Sequence, residues 1–218
     1  KSLDFDKVFI SPNPGDAGGA AGAALYYAAK KKIPIVRNCD PFLGTNYDNE
    51  YIENNIIPKI KKFDHIKVTK FEDLKNLYSA TANILKGPNV VGWFQGRMEW
   101  GPRALGNRSI IANPSYASMR EIINMKIKRR EEFRPFAPAI LYEKANEYFE
   151  IKDDSAASFM GAIYDVKKAV LAKIPAVVHI DNSARVQIVS DKSNSKFYNL
   201  IKEFDKQTGI PVLLNTSL

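Results

Sequence analysis

Apolar residues along the chain fall into short β-like runs separated by stretches with helical spacing. Residues 7–11 (KVFIS) predict a strand, a Pro-Asn-Pro turn follows, and then comes the glycine-rich segment 15–19 (GDAGG). The alanine-rich run over about 20–32 predicts a helix, and its three closing lysines suit the negative end of the helix dipole. A second strand is expected over 33–37 (IPIVR). Strand, glycine-rich turn, helix and strand make a βαβ-like unit, with its turn where open α/β sheets bind ligands. A polar connecting helix is expected over 48–61. Thr69 and Glu72 read as a capping box for a helix reaching about Lys86, which Gly87-Pro88 stops. Further on, 89–94 predicts a buried strand and 118–128 a helix with Met119, Ile122, Ile123 and Ile127 on one side. Strands are expected over 137–141, 159–166, 177–180, 185–189 and from Val212, with helices over 143–149 and 194–209. The pattern is α/β throughout, with no internal repeat.

Composition narrows the class. The 218 residues are 45% hydrophobic and 26% charged, an ordinary globular balance that allows one large domain or two small ones. The longest nearly uncharged apolar stretch, 20–29, is far short of the roughly 20 residues a membrane helix needs. A single cysteine, Cys39, excludes an internal disulfide, and no signal-peptide pattern opens the chain; a cytoplasmic location is expected. Because Lys1 is not a methionine and Leu218 directly follows a strand-like run, the chain is expected to be a piece of a longer polypeptide. Net charge is +8, and seven of the nine arginines fall between Arg97 and Arg134. Clustered guanidinium forks point to a phosphate-rich ligand or a nucleic acid. The plainer alternative is surface pairing with Glu99, Glu121, Glu131 and Glu132.

Three segments concentrate the candidate chemistry. Asp16 lies in GDAGGAAGAALYYAA, where glycines let amides approach a ligand and a carboxylate could hold a cation or simply cap the helix. Segment 95–109 (QGRMEWGPRALGNRS) interleaves Gly96, Gly101 and Gly106 with Arg97, Arg103 and Arg108, which predicts a looping, anion-binding backbone. Segment 128–138 (KRREEFRPFAP) sets Lys128, Arg130 and Arg134 in a proline frame, with Phe133 and Phe136 as anchors. On extended backbone Lys128 and Arg130 would face the same side. Two shorter constellations are His179, Asp181 and Arg185 in HIDNSAR, and Asn215, Thr216 and Ser217 after the last strand. One cysteine and two distant histidines, His65 and His179, supply no zinc set, and neither a GxSxG elbow nor a Cys–His pair is present. What remains is phosphate chemistry by positioning and charge neutralisation.

Taken together, GDAGGAAGAALY, VVGWFQGRMEWGPRALGNRSIIANP, KRREEFRPFAPAIL, IPAVVHIDNSARVQIV and PVLLNTS resemble the carbamoyltransferases of the NodU/CmcH type. The resemblance implies that residues 1–64 are the end of an ASKHA-type carbamoyl-transfer domain with a connector helix. Residues 65–218 would be a YrdC-like domain, a twisted mixed sheet with flanking helices, truncated at its C-terminus. The implied activity is an ATP-dependent O-carbamoyltransferase that makes carbamoyl-adenylate from carbamoyl phosphate and ATP, then carbamoylates a small-molecule hydroxyl. Carried over by position, Lys128, Arg130 and Arg134 are the catalytic clamp on the phosphates. Arg103, Arg108, Arg185 and His179 complete substrate and nucleotide binding, and Asn215 and Ser217 hydrogen-bond the nucleotide or its acyl group. Asp16 would be one ligand of a divalent metal, iron being one candidate, with the other ligands upstream; Mg²⁺ would accompany ATP. The implied partners are carbamoyl phosphate, the hydroxyl acceptor and the N-terminal part of the same chain. Neither a membrane nor a nucleic acid is expected, and the fragment is expected to be inactive alone. Asn182-Ser183 stands where Gly-Thr is usual in the family, and Glu132 where proline is common.

Two other readings are open to the residues. A basic RNA-binding module would use Trp93, Phe94 and Trp100 as stacking groups among the arginines. A YrdC-like domain could also serve threonylcarbamoyl-adenylate synthesis, but the EWGPRALGNRS segment behind a GDAGG unit favours carbamoyl transfer.

Overall fold

The computed structural model describes residues 10–35 and 40–218. Of the two strands expected in the βαβ-like unit, residues 7–9 and 36–37 lie outside the described residues. Ile10, Ser11 and 33–35 are not in strands, since no described segment pairs with them. Helix α1 (Asp16–Lys30) starts earlier than its alanine run, with Gly15 as N-cap, so GDAGG is the first turn of a helix and not a separate loop. Gly18 is needed there for close approach, because a Cβ would stand 2.1 Å from the Asn13 carbonyl oxygen. The connector forms as three helical pieces end to end, Asn49–Tyr51, Ile52–Ile56 and Ile57–Ile60, with Asp48 accepting the Tyr51 N–H at 2.7 Å. Its middle piece is π-helical, just ahead of Pro58, which has no N–H to donate.

Helix α2 (Leu74–Leu85) is capped by Asp73, whose Oδ1 accepts the Lys75 N–H at 2.9 Å. This corrects the Thr69–Glu72 box: Asp73 adjoins the first free amides, while Glu72 lies 3.9 Å from Lys70. Helix α3 (Asp191–Thr208) opens with a Ser190–Ser193 capping box and closes at Gly209, in the left-handed region at φ 74. Both helices bury one stripe at i, i+3, i+4 and i+7: Tyr78, Thr81, Ala82 and Leu85 on α2, and Phe197, Leu200, Ile201 and Phe204 on α3.

The strands are β1 (Val90–Phe94), β2 (Arg108–Ala112), β3 (Ala137–Leu141), β4 (Tyr164–Asp165), β5 (Ser183–Ala184), β6 (Gln187–Val189) and β7 (Val212–Ser217). Five of them form one mixed sheet in the order β1-β2-β7-β3-β6, antiparallel except for the parallel β3–β6 pair. Period-two alternation splits its side chains. Ile111, Ala139, Leu141, Val189 and Leu213 pack under α2 and α3. Ala112, Ile140, Ile188, Val212 and Leu214 pack on the other face against Met119, Ile123, Phe149 and Ile174. Each fully buried phenylalanine contributes about 1.5–3 kcal/mol by leaving water, and Phe149, Phe197 and Phe204 are all at 0% exposure.

Several expectations need correction. The strand at 89–94 is an edge, and Trp93 is its one buried side chain. Strand β2 has no counterpart among the expected elements, because Ile110-Ile111-Ala112 is too short to show alternation. Of 159–166 only Tyr164–Asp165 is a strand, paired with β5, and 177–180 holds no strand. The apolar residues there are buried instead by short 3₁₀ turns, Lys168–Lys173 and Pro175–Val177, which place Val170, Ile174 and Val177 under the sheet.

Candidate anion-binding site

The site lies where β3 and β6 begin and β7 ends. Over this edge folds the loop 95–107, organised by one buried carboxylate. Glu99 Oε1 accepts the backbone N–H groups of Leu105 at 2.5 Å and Asn107 at 2.9 Å, and Oε2 lies 3.4 Å from Arg108 Nε. Arg108 also donates to the Gly101 carbonyl. The Asn107 amide donates to the Arg97 carbonyl at 2.7 Å and accepts from Gln95 and Asn194. Gly106, at φ 107, lets the loop press on α3: a Cβ there would stand 2.3 Å from Phe197 Cδ1.

A second segment approaches from below. Helix Met119–Ile122 continues as a π-helical stretch, Ile123–Lys128, and Arg129 then turns through the left-handed region at φ 47. Lys128 and Arg130 therefore reach the same edge across a helix end, not along the extended backbone expected. Buried Asn124 fixes the turn, donating to the carbonyls of Glu132 at 3.1 Å and Arg134 at 3.0 Å and accepting from Arg130 Nε at 2.7 Å. The Arg130 guanidinium lies over the Phe136 ring, 5.0 Å from its centroid. Lys128 donates to the Ser217 carbonyl and, at 3.1 Å, to its hydroxyl.

These segments and β7 enclose a cavity of about 100 Å³ lined by Arg103, Arg130, Arg185, Asn215, Thr216 and Ser217, with Phe136 and Met160 as apolar wall. No carboxylate of the described residues lines it. No hydrogen bond or ion pair to a described residue engages the Arg103 or Arg185 side chain, and Arg185 Nε and Asn215 Oδ1 are buried without partners. Burial, then the Arg103 and Arg130 charges, holds Arg185 below the usual arginine range. Burial and Arg134 act likewise on Arg130. Lys128 is pushed down by burial and by the charges of Arg130 and Arg108. Cations held together against their own repulsion, with donors left free, form a receptor for an anion. A larger groove of about 700 Å³ runs past Tyr47, Trp93 and Phe94, and it has no comparable cluster of charge.

A family model described as "Carbamoyltransferase C-terminus" matches residues 82–218. The chain belongs to this carbamoyltransferase family. It is 38% identical to nodulation protein NolO of Bradyrhizobium diazoefficiens over 98% of its length and 38% of that protein's. It is 34% identical to nodulation protein U of Rhizobium fredii, covering 98% of the chain and 34% of the relative. It is 39% identical to the Synechocystis sp. protein sll1178, again over 98% of the chain and 38% of the relative. The chain thus spans a little over a third of the length of these relatives.

In this member of the carbamoyltransferase family, five of the residues given site roles by the resemblance share the cavity, Arg103, Arg130, Arg185, Asn215 and Ser217, together with Phe136 and Thr216. Lys128 joins them through Ser217. Arg108 does not line it, being committed to Glu99 and Gly101. Arg134 lies outside it as well, exposed and paired with Glu131 at 2.9 Å. His179 sits on an adjoining turn, where its Nδ1 meets Ser183 Oγ at 3.0 Å, while that hydroxyl donates to Asp181 at 2.6 Å. Ser183 spends its one hydrogen on Asp181, so His179 Nδ1 carries a proton and donates. Burial lowers the His179 pKa; Asp181 opposes this, and Arg185 and Arg120 reinforce it. Asn182 stands at φ 63, in the left-handed region that favours glycine, and Ser183 supplies the hydroxyl that joins His179 to Asp181.

Asp16 opens α1 in an exposed position away from the cavity. No group of three or more His, Cys, Asp or Glu among the described residues could hold a metal ion, so these residues alone do not fit a metal at Asp16. Trp93 is buried against Tyr78 and unavailable for base stacking. Among the described residues no helix is long and apolar enough to cross a membrane. Sequence reasoning gave no site role to Glu99, Asn124 and Gln187, the buried side chains that shape the loop, the turn and the cavity wall. Their polar character inside otherwise packed segments was the available signal.

Proposed function

We propose that this chain is the carbamoyl-activating part of an ATP-dependent O-carbamoyltransferase, with a YrdC-like fold from about residue 65 and an ASKHA-type domain before it. One observation carries the reading: three guanidinium groups, two of them without a hydrogen bond or ion pair to a described residue, converge on a cavity that no carboxylate of the described residues lines. Carbamoyl phosphate and water give carbamate and phosphate. A carbamate oxygen then bonds to the α-phosphorus of ATP as pyrophosphate leaves, forming carbamoyl-adenylate. An acceptor hydroxyl attacks the carbamoyl carbon, loses its proton and releases AMP.

In this scheme Arg103, Arg130 and Arg185 hold phosphoryl oxygens, and the Phe136 stack and the Asn124 bond keep Arg130 aimed before charge develops. Lys128 adds a positive charge at Ser217, while Asn215 and Ser217 meet the acyl group. The cavity of about 100 Å³ is too small for a nucleotide, so the sugar and base of ATP would lie outside it. Mg²⁺ bound to ATP would neutralise further phosphate charge, and no step here runs through a metal at Asp16. Carbamoyl phosphate-dependent ATP–pyrophosphate exchange in the full-length protein tests the reading. Exchange is expected, and Arg130→Ala should remove it; undiminished exchange in that variant would show the cavity is not the site.

A further inference from the structure

Asn215 lines a cavity bordered by guanidinium donors and carries a buried acceptor without a partner, and its orientation is determined by its neighbours. Asn215 is 1% exposed and Gln187 3%. Gln187 lies 2.8 Å from the Leu105 carbonyl oxygen, which only accepts, so the atom facing it is Nε2. The other Gln187 atom is therefore Oε1, and the Asn215 atom 2.7 Å from it must be Nδ2. The same Nδ2 donates to the Ala104 carbonyl at 3.0 Å, a second group that only accepts. Flipping the Asn215 amide would set oxygen against both. The chain of bonds from Leu105 through Gln187 leaves Asn215 Oδ1 as the one atom of that amide without a partner, buried on a residue that lines the cavity. β7 holds the residue in place, with Asn215 in register with Ile111 of β2 and Ala137 of β3.

A ligand offering only phosphate oxygens satisfies the arginines and leaves this acceptor unmatched. A ligand with an –NH₂ group beside its oxyanion satisfies both. We propose that Asn215 Oδ1, oriented by Gln187, selects a carbamoyl group over an acyl group of the same shape by accepting a hydrogen bond from its –NH₂. Asn215 is then a specificity-determining residue, and Gln187 a positioning residue that acts through it. The inference rests on the anion site described under Proposed function.

The probes are carbamoyl phosphate and acetyl phosphate, which differ by –NH₂ against –CH₃, titrated calorimetrically into the full-length protein without ATP. Acetyl phosphate should bind about 10- to 100-fold more weakly, since it leaves a buried acceptor unpaired. In Gln187→Met the Asn215 amide keeps only its bond to the Ala104 carbonyl, and the ratio of the two dissociation constants should fall. In Gln187→Glu, which still accepts from Nδ2, the ratio should persist. Each ratio is taken within one variant, so a partly unfolded sample does not alter it. Equal affinities in the unsubstituted protein would overturn the selection, and an unchanged ratio in Gln187→Met would overturn the positioning role of Gln187; either result leaves the anion site standing. Failure of both phosphates to bind would instead remove the anion site, and this inference with it.

Discussion

Replacing Arg185 with methionine should move stability and binding in opposite directions. The side chain is half-buried, its Nε is buried without a partner, and Arg103 and Arg130 repel its charge. A buried unsatisfied donor costs about 1–3 kcal/mol. Methionine keeps an unbranched chain of similar reach, and the variant gives up no side-chain hydrogen bond to a described residue. The substitution should therefore stabilise the ligand-free fold by about 1–2 kcal/mol, raising the melting temperature by about 2–8 °C for a unit of this size. The same guanidinium should supply a charge-assisted bond to the bound anion worth about 1.5–3 kcal/mol. Its loss should weaken carbamoyl phosphate binding by about 10- to 150-fold. Thermal melting without ligand and calorimetric titration with it measure the two effects separately. A lower melting temperature with unchanged affinity would mean that Arg185 serves the fold, and the argument from unpaired cations would fail.

Glu99→Gln should destabilise the chain by about 3 kcal/mol, the low end for breaking a buried ion pair, because Arg108 retains 20% side-chain exposure. A loss under about 1 kcal/mol in denaturant titration would contradict its organising role. Gly106→Ala should cost about 2–5 kcal/mol, combining strain at φ 107 with a Cβ placed 2.3 Å from Phe197; a melt matching that of the unsubstituted protein would count against this packing. Lys128 provides a test in pH. Its free-state pKa is lowered by burial and neighbouring charges, and a bound anion favours the charged form, so binding takes up a proton wherever the free lysine is partly neutral. Anion affinity should then fall with rising pH, beginning below the ordinary lysine range, and Lys128→Arg should move that fall upward. A pH profile identical in the variant would exclude Lys128 from the site.

Much of the architecture was legible locally. The i, i+3, i+4, i+7 stripe of α3 places that helix from spacing, because one buried face admits few alternatives, and the run APAIL places β3 as a short apolar segment buried on both faces of the sheet. Strand β2, the 3₁₀ turns over 168–177 and the Asp73 cap were not legible. Short apolar runs fit several backbones, and the sheet decides among them.

The site divides in the same way. Sequence by itself determined that arginines and a lysine crowd 97–134, that Asn215 and Ser217 follow a strand, and that the segments resemble one family. Tertiary structure decided which cations are free. Arg103 lies in the loop and Arg108 five residues on, at the start of β2, yet Glu99 takes Arg108 while Arg103 faces the cavity. Arg130 and Arg134 lie four apart, yet Asn124 and Phe136 hold Arg130 at the cavity while Glu131 holds Arg134 outside. Arg185, 82 positions beyond Arg103 in the chain, meets it only because β5, β6 and β7 close against the loop. Residue type sets what charge a side chain can offer, whereas the partners that neutralise it or leave it free come from distant segments that only the folded chain brings together.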